Sequence, residues 1–383
     1  MSGTGGNPSA AGGTAGAPDT AGTTSGGAGT AGASACGPCP TGATCVAGAC
    51  KCPGFAPDVC DNKCVDLKVD PDHCGVCTTV CDASATCVAS ACGAKPAEVV
   101  AQAAGCDALH LALGADVLYW TDKMHGTVMS LPTAGGTAKT IAMTQAGPSA
   151  ITVDATNVYW INSTDKTVMK SALANGTPAQ LATPPVDAAG AAVRAFTLSG
   201  ATLYYSAGDH IYKVPTAGGD SVLVGIAQQL GVPGALVADA TQLVYPTDVH
   251  NDVEIMQVAD GTTTRVAESQ GSLFFDVIIQ ANANVYWANG ARVLSGMPTG
   301  TKNSMTVVNS AEIGNVTGFA IGATNVYFGE DGFVEKGPLP GGAVEAGGDG
   351  VKLARGQKAP TSFVLDATKV YWASDCAILS AAQ

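Results

Sequence analysis

The sequence is poor in charge, in aromatic side chains and in long apolar runs, and each shortage excludes a class of protein. Only 13% of the 383 residues are charged and 5% are aromatic, which disfavours a long charged helical fold. Basic residues number 18 against 31 acidic ones, a net charge of −13, so we expect no nucleic-acid partner. No run approaches the roughly 18 apolar residues of a membrane helix, so no transmembrane segment is expected.

The common catalytic patterns are missing as well. The chain contains no G-x-S-x-G, no H-E-x-x-H, no phosphate-binding loop and no EF-hand spacing. These absences favour a protein without catalysis and without a cofactor, and they leave a bound divalent cation open.

The first 35 residues differ in composition from the rest. Residues 1–35 are almost entirely Gly, Ala, Thr and Ser, so they have nothing to bury and predict a disordered low-complexity tether. Met1 is not followed by the positively charged region and the apolar region that a signal peptide has. Because the next segment is of an extracellular type, we expect the true start to lie upstream or the chain to have been trimmed. An upstream lipoprotein signal with a lipid anchor is one hypothesis.

Twelve of the 14 cysteines fall in residues 36–93 and predict a disulfide-rich module. High density and an even count point to an oxidising location, outside the cell or at its surface. The spacing leaves the connectivity open. A zinc site is the alternative, because two pairs have C-x-x-C spacing, although the pairs are far apart for zinc. The twelve are Cys36, Cys39, Cys45, Cys50, Cys52, Cys60, Cys64, Cys74, Cys77, Cys81, Cys87 and Cys92.

The module contains an internal repeat and two family resemblances. Residues 43–50 read ATCVAGAC and residues 85–92 read ATCVASAC. The run CKCPGF from Cys50 resembles the tail of an EGF-like module. The run CDNKCVDLKVDPDHCGVC from Cys60 to Cys77 resembles the stigma-specific small cysteine-rich family. These resemblances imply a secreted spacer or binding module without chemistry of its own.

The remainder of the chain, residues 94–383, is periodic, with a phrase of the form DATNVYW every 40 to 45 residues. Each unit holds four short strand-like runs separated by turn signals. Four strands in such a period predict an all-β fold, a seven-bladed β-propeller. The seven phrases end at Trp120, Trp160, Tyr205, Tyr245, Trp287, Phe328 and Trp372.

Two details of the repeat predict how the ring is built. Neighbouring residues of a strand point to opposite faces, so each Tyr-Trp pair is expected to fill the interfaces on both sides of its blade. The last unit has only three strands. We therefore expect residues 97–103 to supply the missing outer strand and to close the propeller by pairing with the C-terminal strand.

One copy of the phrase continues as Tyr119-Trp120-Thr121-Asp122, followed by Thr127-Val128-Met129. This run resembles the YWTD repeat of LDL-receptor class B. Propellers of that family have six blades, whereas seven units are present here. The resemblance implies an extracellular protein-binding protein, and we expect a monomeric secreted protein or lipoprotein of bacterial type.

The turns between second and third strands are expected to share one face and to form the binding surface. Clustered carboxylates and imidazoles there can bind a cation, or can recognise an extracellular protein or another cationic ligand. Tight turns also favour the same residue types for conformational reasons, so a purely structural role stays open. The candidates are Asp122, His125, Asp165, Asp209, His210, Asp248, His250, Glu330, Asp331 and Asp375.

The expected function is therefore binding or scaffolding through this face. The alternative is a lyase or hydrolase that resembles the streptogramin-lyase group, which is seven-bladed and uses a His and a divalent metal. His125, His210 and His250 are then the candidate histidines.

The two remaining cysteines predict a disulfide that links the beginning of the propeller to its last unit. Cys106 lies between the closing strand and the first inner strand, and Cys376 lies in the second-to-third turn of the last unit. A Cys106–Cys376 bond would add about 2–4 kcal/mol of stability. Peptide mapping by mass spectrometry without reduction is expected to find the linked pair. Two thiols that can be alkylated separately, which is the open alternative, would refute the bond.

Overall fold

The computed structural model of the chain describes residues 38–47, 49–81, 87–88, 90–92, 97–102, 109–174, 176–188, 190–227, 233–247, 252–267, 273–281, 284–289, 292–296, 305–309, 316–330, 332–339 and 351–383. Its regular structure is β-strand, apart from a 3-10 turn at Val186–Ala188. No helix in the described part of the chain has the length and apolar character to cross a membrane. The tether predicted for residues 1–35 lies outside the described residues.

The cysteine-rich module consists of three small hairpins held by disulfides. Its strands are β1 (Thr44–Val46), β2 (Ala49–Lys51), β3 (Asp58–Cys60), β4 (Lys63–Val65), β5 (Cys87–Val88) and β6 (Ala91–Cys92), paired in that order. The bonds between described cysteines are Cys39–Cys50, Cys52–Cys64, Cys60–Cys77, Cys74–Cys87 and Cys81–Cys92. The first and last bonds occupy matching positions of the sequence repeat, each closing a separation of 11 residues.

The zinc alternative is wrong for the described C-x-x-C cysteines. Cys39, Cys74 and Cys77 are each bonded to a cysteine elsewhere in the module, and a sulfur in a disulfide is not a thiolate ligand. Cys45 is disulfide-bonded too. Cys36 lies outside the described residues.

The rest of the chain forms seven four-stranded antiparallel sheets. The first three contain β8 (Leu109–Gly114), β9 (Val117–Asp122), β10 (Thr127–Pro132) and β11 (Lys139–Ala142); β12 (Pro148–Val153), β13 (Asn157–Asn162), β14 (Thr167–Ala172) and β15 (Ala179–Ala182); and β16 (Val193–Ser199), β17 (Thr202–Ala207), β18 (His210–Pro215) and β19 (Val222–Ile226).

The fourth, fifth and sixth sheets repeat this order. They contain β20 (Val237–Ala238), β21 (Gln242–Pro246), β22 (Val253–Gln257) and β23 (Thr263–Ala267); β24 (Leu273–Ala281), β25 (Asn284–Asn289), β26 (Arg292–Gly296) and β27 (Met305–Asn309); and β28 (Gly318–Ile321), β29 (Asn325–Glu330), β30 (Gly332–Pro338) and β31 (Val351–Gln357).

The seventh sheet joins the two ends of this region. It contains β32 (Thr361–Leu365), β33 (Lys369–Ser374), β34 (Ala377–Ala382) and, on its outer edge, β7 (Glu98–Gln102). In the β7–β34 pair, Glu98 lies opposite Ser380 and Gln102 opposite Ala377. The prediction that an N-terminal outer strand closes the propeller is confirmed.

The sheets are arranged as a closed ring. The first strand of each sheet contacts the first strand of the next, and β32 of the seventh sheet contacts β8 of the first. Across that last junction the Leu111 backbone N–H donates to Ser362 Oγ at 2.6 Å. The architecture is a β-propeller, in which every sheet is covered on both faces by its neighbours.

Each Tyr-Trp pair packs toward two different neighbours, as the alternation predicts. In the second sheet Tyr159 packs with Tyr205 and Tyr212 of the third sheet, while Trp160 packs with Tyr119 and other residues of the first. Both Tyr159 and Trp160 have no exposed surface. A large aromatic ring buries roughly 150–250 Å², so these pairs supply much of the contact between sheets.

An aspartate closes the first turn of several sheets by accepting backbone N–H groups, as at Asp154, Asp239 and Asp366. Asp154 Oδ1 accepts the backbone N–H groups of Thr156 and Asn157, both at 2.7 Å, and Oδ2 accepts the Tyr159 hydroxyl at 2.8 Å. Burial alone would raise the pKa of Asp154, but these hydrogen bonds outweigh it and the pKa is lowered. Burial and the carboxylate together raise the pKa of Tyr159 to about 12.

The cysteine-rich module also contacts the ring, and its expected role as a spacer or binding module stays a prediction. Val69 packs against the core shared by the sixth and seventh sheets, and Asp72 forms an ion pair with Arg355 of β31. Burial lowers the pKa of Lys336 on β30, and the charge of Asp66 acts in the opposite direction. An apolar contact and opposite charges therefore hold the module on the ring. The proposed boundary between the two, at residues 93 and 94, stays a prediction.

Replacing one of the turn aspartates is expected to weaken the fold in a way that depends on pH. In the last sheet Asp366 accepts the backbone N–H groups of Thr368 and Lys369 and the hydroxyl of Tyr371. The Thr368 hydroxyl also donates to Asp366, so Asp366→Ala leaves four donors without a charged acceptor. The substitution is expected to lower the free energy of unfolding by about 1–3 kcal/mol at pH 7.

The pH dependence follows from the lowered pKa of Asp366, in which the hydrogen bonds outweigh the effect of burial. A lowered folded-state pKa gives stability that is present above the unfolded value of about 3.9 and is lost as the pH falls through the folded value. The difference between the protein and Asp366→Ala, measured by urea unfolding, is therefore expected to shrink below pH 4. Asp116→Ala, an exposed turn residue, is the control. An unchanged difference at low pH would contradict this prediction.

Candidate functional site

The second-to-third turns of the sheets and the connections between consecutive sheets meet at one end of the ring, which we call the turn face. The antiparallel strand order requires this arrangement. Backbone hydrogen bonds tie the two kinds of loop together, for example from Gln145 N–H to the Gly126 carbonyl at 2.9 Å. Seven of the ten candidate residues are described on this face. Asp248, His250 and Asp331 lie outside the described residues.

Asp122 and His125 form a tight pair in the first sheet. Asp122 Oδ2 lies 2.7 Å from His125 Nδ1, and Oδ1 accepts the His125 backbone N–H at 3.1 Å. The Asp122 side chain is 5% exposed, whereas that of His125 is 44% exposed. The buried carboxylate thus fixes the ring through Nδ1, so that Nε2 is the nitrogen free of this contact.

The exposed carboxylates lie on other sheets. In the third sheet Asp209 Oδ1 lies 2.7 Å from His210 Nδ1, and half of the Asp209 side chain is accessible. In the second sheet Asp165 is exposed. In the seventh sheet Asp375 pairs with Lys358 at 2.8 Å, with both side chains largely exposed, so a lysine already neutralises this carboxylate.

Three further acidic side chains near the turn face are buried. Glu330, a candidate from the sequence, is 1% exposed at the end of β29. Asp252 and Glu254 are each 2% exposed and lie 3.2 and 3.6 Å from Arg265 Nε. Burial raises the pKa of Glu254, opposed by its contacts with Tyr245 and Arg265. Glu330 is therefore buried, so its role as a ligand-binding residue stays a prediction, and Asp122 is turned mainly toward its histidine.

Sequence reasoning missed the connections between sheets, which contribute exposed side chains to the same face. Val186 is 93% exposed, Met143 67% and Met124, in a second-to-third turn, 65%. Asp187 is exposed beside Val186. The sequence signal that could have identified these residues was an apolar residue within a polar turn. Such a residue is noticeable because Met and Val are seldom so accessible at the surface. Together Asp165, Val186, Asp187 and Asp209 form an acidic and apolar patch across the second and third sheets.

The candidate residues are not gathered into one centre. The group of metal-ligand type found among the described residues is Cys74, Cys81 and Cys92, and all three are in disulfides. His110 lies on β8 and is partly buried. Cys376 is disulfide-bonded, but Cys106 lies outside the described residues, so their pairing stays a prediction.

No protein-family model matches the sequence, and no curated protein matches it. Among solved structures, the fold is similar to a catalytically inactive virginiamycin B lyase from Staphylococcus aureus with quinupristin (TM-score 0.58, 11% identity, 74% of this chain and 98% of that one). It is also similar to the computationally designed Ika8 protein (0.54, 15%, 75% and 100%) and to a streptogramin B lyase (0.52, 14%, 73% and 95%). At these identities the likeness concerns the fold alone, and it supports the β-propeller.

Proposed function

We propose that the protein is an extracellular or cell-surface binding protein whose turn face recognises a positively charged segment of a partner protein or a similar cationic ligand. The observation that carries this proposal is the placement of exposed carboxylates singly on successive loops of one face, at Asp165, Asp187 and Asp209. Charges spread in this way suit recognition of an extended partner, since they do not converge on one reacting atom.

Three other features support the proposal. Residues 97–383 contain 24 acidic and 14 basic residues, a net charge of −10, which attracts a basic partner over a distance. The exposed Met124, Met143 and Val186 offer apolar contact on the same face, and adaptable methionines are common at binding surfaces. The disulfides of the module are typical of proteins in oxidising compartments, which supports the extracellular location.

Removing charge from the turn face is expected to weaken binding of a basic peptide more than removing the same charge from the opposite end. The probe is a fluorescein-labelled peptide of ten lysines, and binding is measured by anisotropy at several salt concentrations. The Asp165→Asn/Asp209→Asn variant is expected to bind about 3–10-fold more weakly than the protein at low salt, with a smaller salt dependence.

The matched control is Asp116→Asn/Asp220→Asn, which removes two exposed carboxylates from first-to-second and third-to-fourth turns at the other end. It should change the affinity less than twofold. An equal loss of affinity in both variants would show that peptide binding depends only on the net charge of the protein, and it would contradict the proposal.

A propeller lyase or hydrolase is the second candidate, and one observation favours it. A buried Asp122 that holds His125 through Nδ1 is the arrangement in which a histidine acts as a base or metal ligand through Nε2. Metal analysis of the purified protein separates the two candidates. We expect no stoichiometric divalent metal. Metal that copurifies and is lost in His125→Ala or His210→Ala would favour the enzyme.

A further inference from the structure

The first and last sheets leave a cleft of about 480 Å³ between them, which we call the closure cleft. Its apolar walls come from Val100 and Ile378 on the last sheet and from Leu109, Trp120, Met129 and Leu131 on the first. Asp122 and His125 lie at its turn-face end. Pockets of about 300–1,000 Å³ with apolar walls and a few polar groups are the usual sites for small molecules.

The tryptophan of this cleft differs from two of its three counterparts in the hydrogen bonding of its indole N–H. The Trp160 indole N–H has Gln145 Oε1 as an acceptor at 3.1 Å, and the Trp372 N–H has Gln357 Oε1 at 2.8 Å. Each glutamine stands 15 residues before its tryptophan. In these two sheets a glutamine from the connection that precedes the sheet accepts the indole N–H, whereas the buried Trp287 N–H has no acceptor among the described residues.

Trp120 has no such acceptor. The residue 15 positions before it is Gly105, which carries no side chain. None of the residues that the structure describes accepts a hydrogen bond from the Trp120 N–H, although this side chain is only 6% exposed. The Trp120 N–H is therefore a donor on the wall of the cleft that is available to an acceptor brought by a ligand.

The walls also define the ligand chemistry. The side chains of Trp120, Met129 and Leu131 favour a flat apolar body, since aromatic rings stack on rings and make good contacts with methionine sulfur. The lining contains no lysine or arginine, while Asp122 contributes a carboxylate. An anion would therefore meet no balancing charge in the cleft.

We propose that the closure cleft binds a flat, uncharged aromatic small molecule that carries a hydrogen-bond acceptor, with its ring against Trp120 and its acceptor on the Trp120 N–H. This site is separate from the acidic patch on the second and third sheets and does not depend on the function proposed for it.

Nile red tests the proposal, because it is planar, uncharged, carries a carbonyl acceptor, and emits more strongly and at shorter wavelength in apolar surroundings. Titrated into the full chain, it is expected to show saturable one-to-one binding. Ala138→Phe places a ring in the cleft from the wall of the first sheet, where Ala138 lies, and is expected to weaken binding at least 10-fold. Trp120→Phe keeps the packing but removes the N–H, and is expected to weaken it about 3–10-fold.

Trp160→Phe is the matched control, since it removes an indole N–H that already has an acceptor, at the next interface. It should bind Nile red as the parent protein does, and thermal unfolding followed by circular dichroism verifies that each variant is folded. If Nile red does not saturate, if Ala138→Phe and Trp120→Phe both bind like the parent, or if Trp160→Phe loses as much affinity as Trp120→Phe, the proposal is wrong.

Discussion

The ring depends on aromatic side chains that face opposite ways from adjacent positions of one strand. Tyr159 contacts the third sheet and Trp160 contacts the first, and the same division recurs at Tyr371, which packs toward the first sheet, and Trp372, which packs toward the sixth. A single sheet cannot bury both of its faces alone. Each sheet therefore needs two neighbours, and a closed ring is the arrangement that gives two neighbours to every sheet.

The fold could be predicted from the sequence because the residues that form each turn and each interface lie within one short motif, and this motif is repeated. The DATNVYW phrase contains its own turn: Asp154 caps Thr156 and Asn157 and also binds the hydroxyl of Tyr159. The missing strand of the last unit was likewise visible, and β7 occupies that place. The hairpin repeat of the module indicated equivalent segments, though spacing alone could not reveal that Cys39–Cys50 and Cys81–Cys92 are equivalent bonds.

The candidate site was less predictable, since a turn aspartate has the same sequence signal whether it is buried or exposed. Asp122 and Glu330 are buried, Asp375 is paired with Lys358, and Asp165 and Asp209 remain accessible. Burial is set by the neighbouring sheet, which is distant in sequence. The lack of a described acceptor for the Trp120 N–H was foreseeable only by comparing units, because Gly105 stands 15 residues before Trp120, where Gln145 and Gln357 precede Trp160 and Trp372.

The pairing of β7 with β34 has a consequence for how the protein is made. Glu98 of β7 lies opposite Ser380 of β34. Because β7 is the first strand of the ring to leave the ribosome and β34 is the last, β7 can pair only at the end of synthesis. Until β34 has been synthesised, β7 has no partner strand, and contacts between such distant residues form slowly. The completed ring is therefore a late event in biosynthesis, and a nascent chain truncated before residue 377 retains an open edge that other chains can pair with.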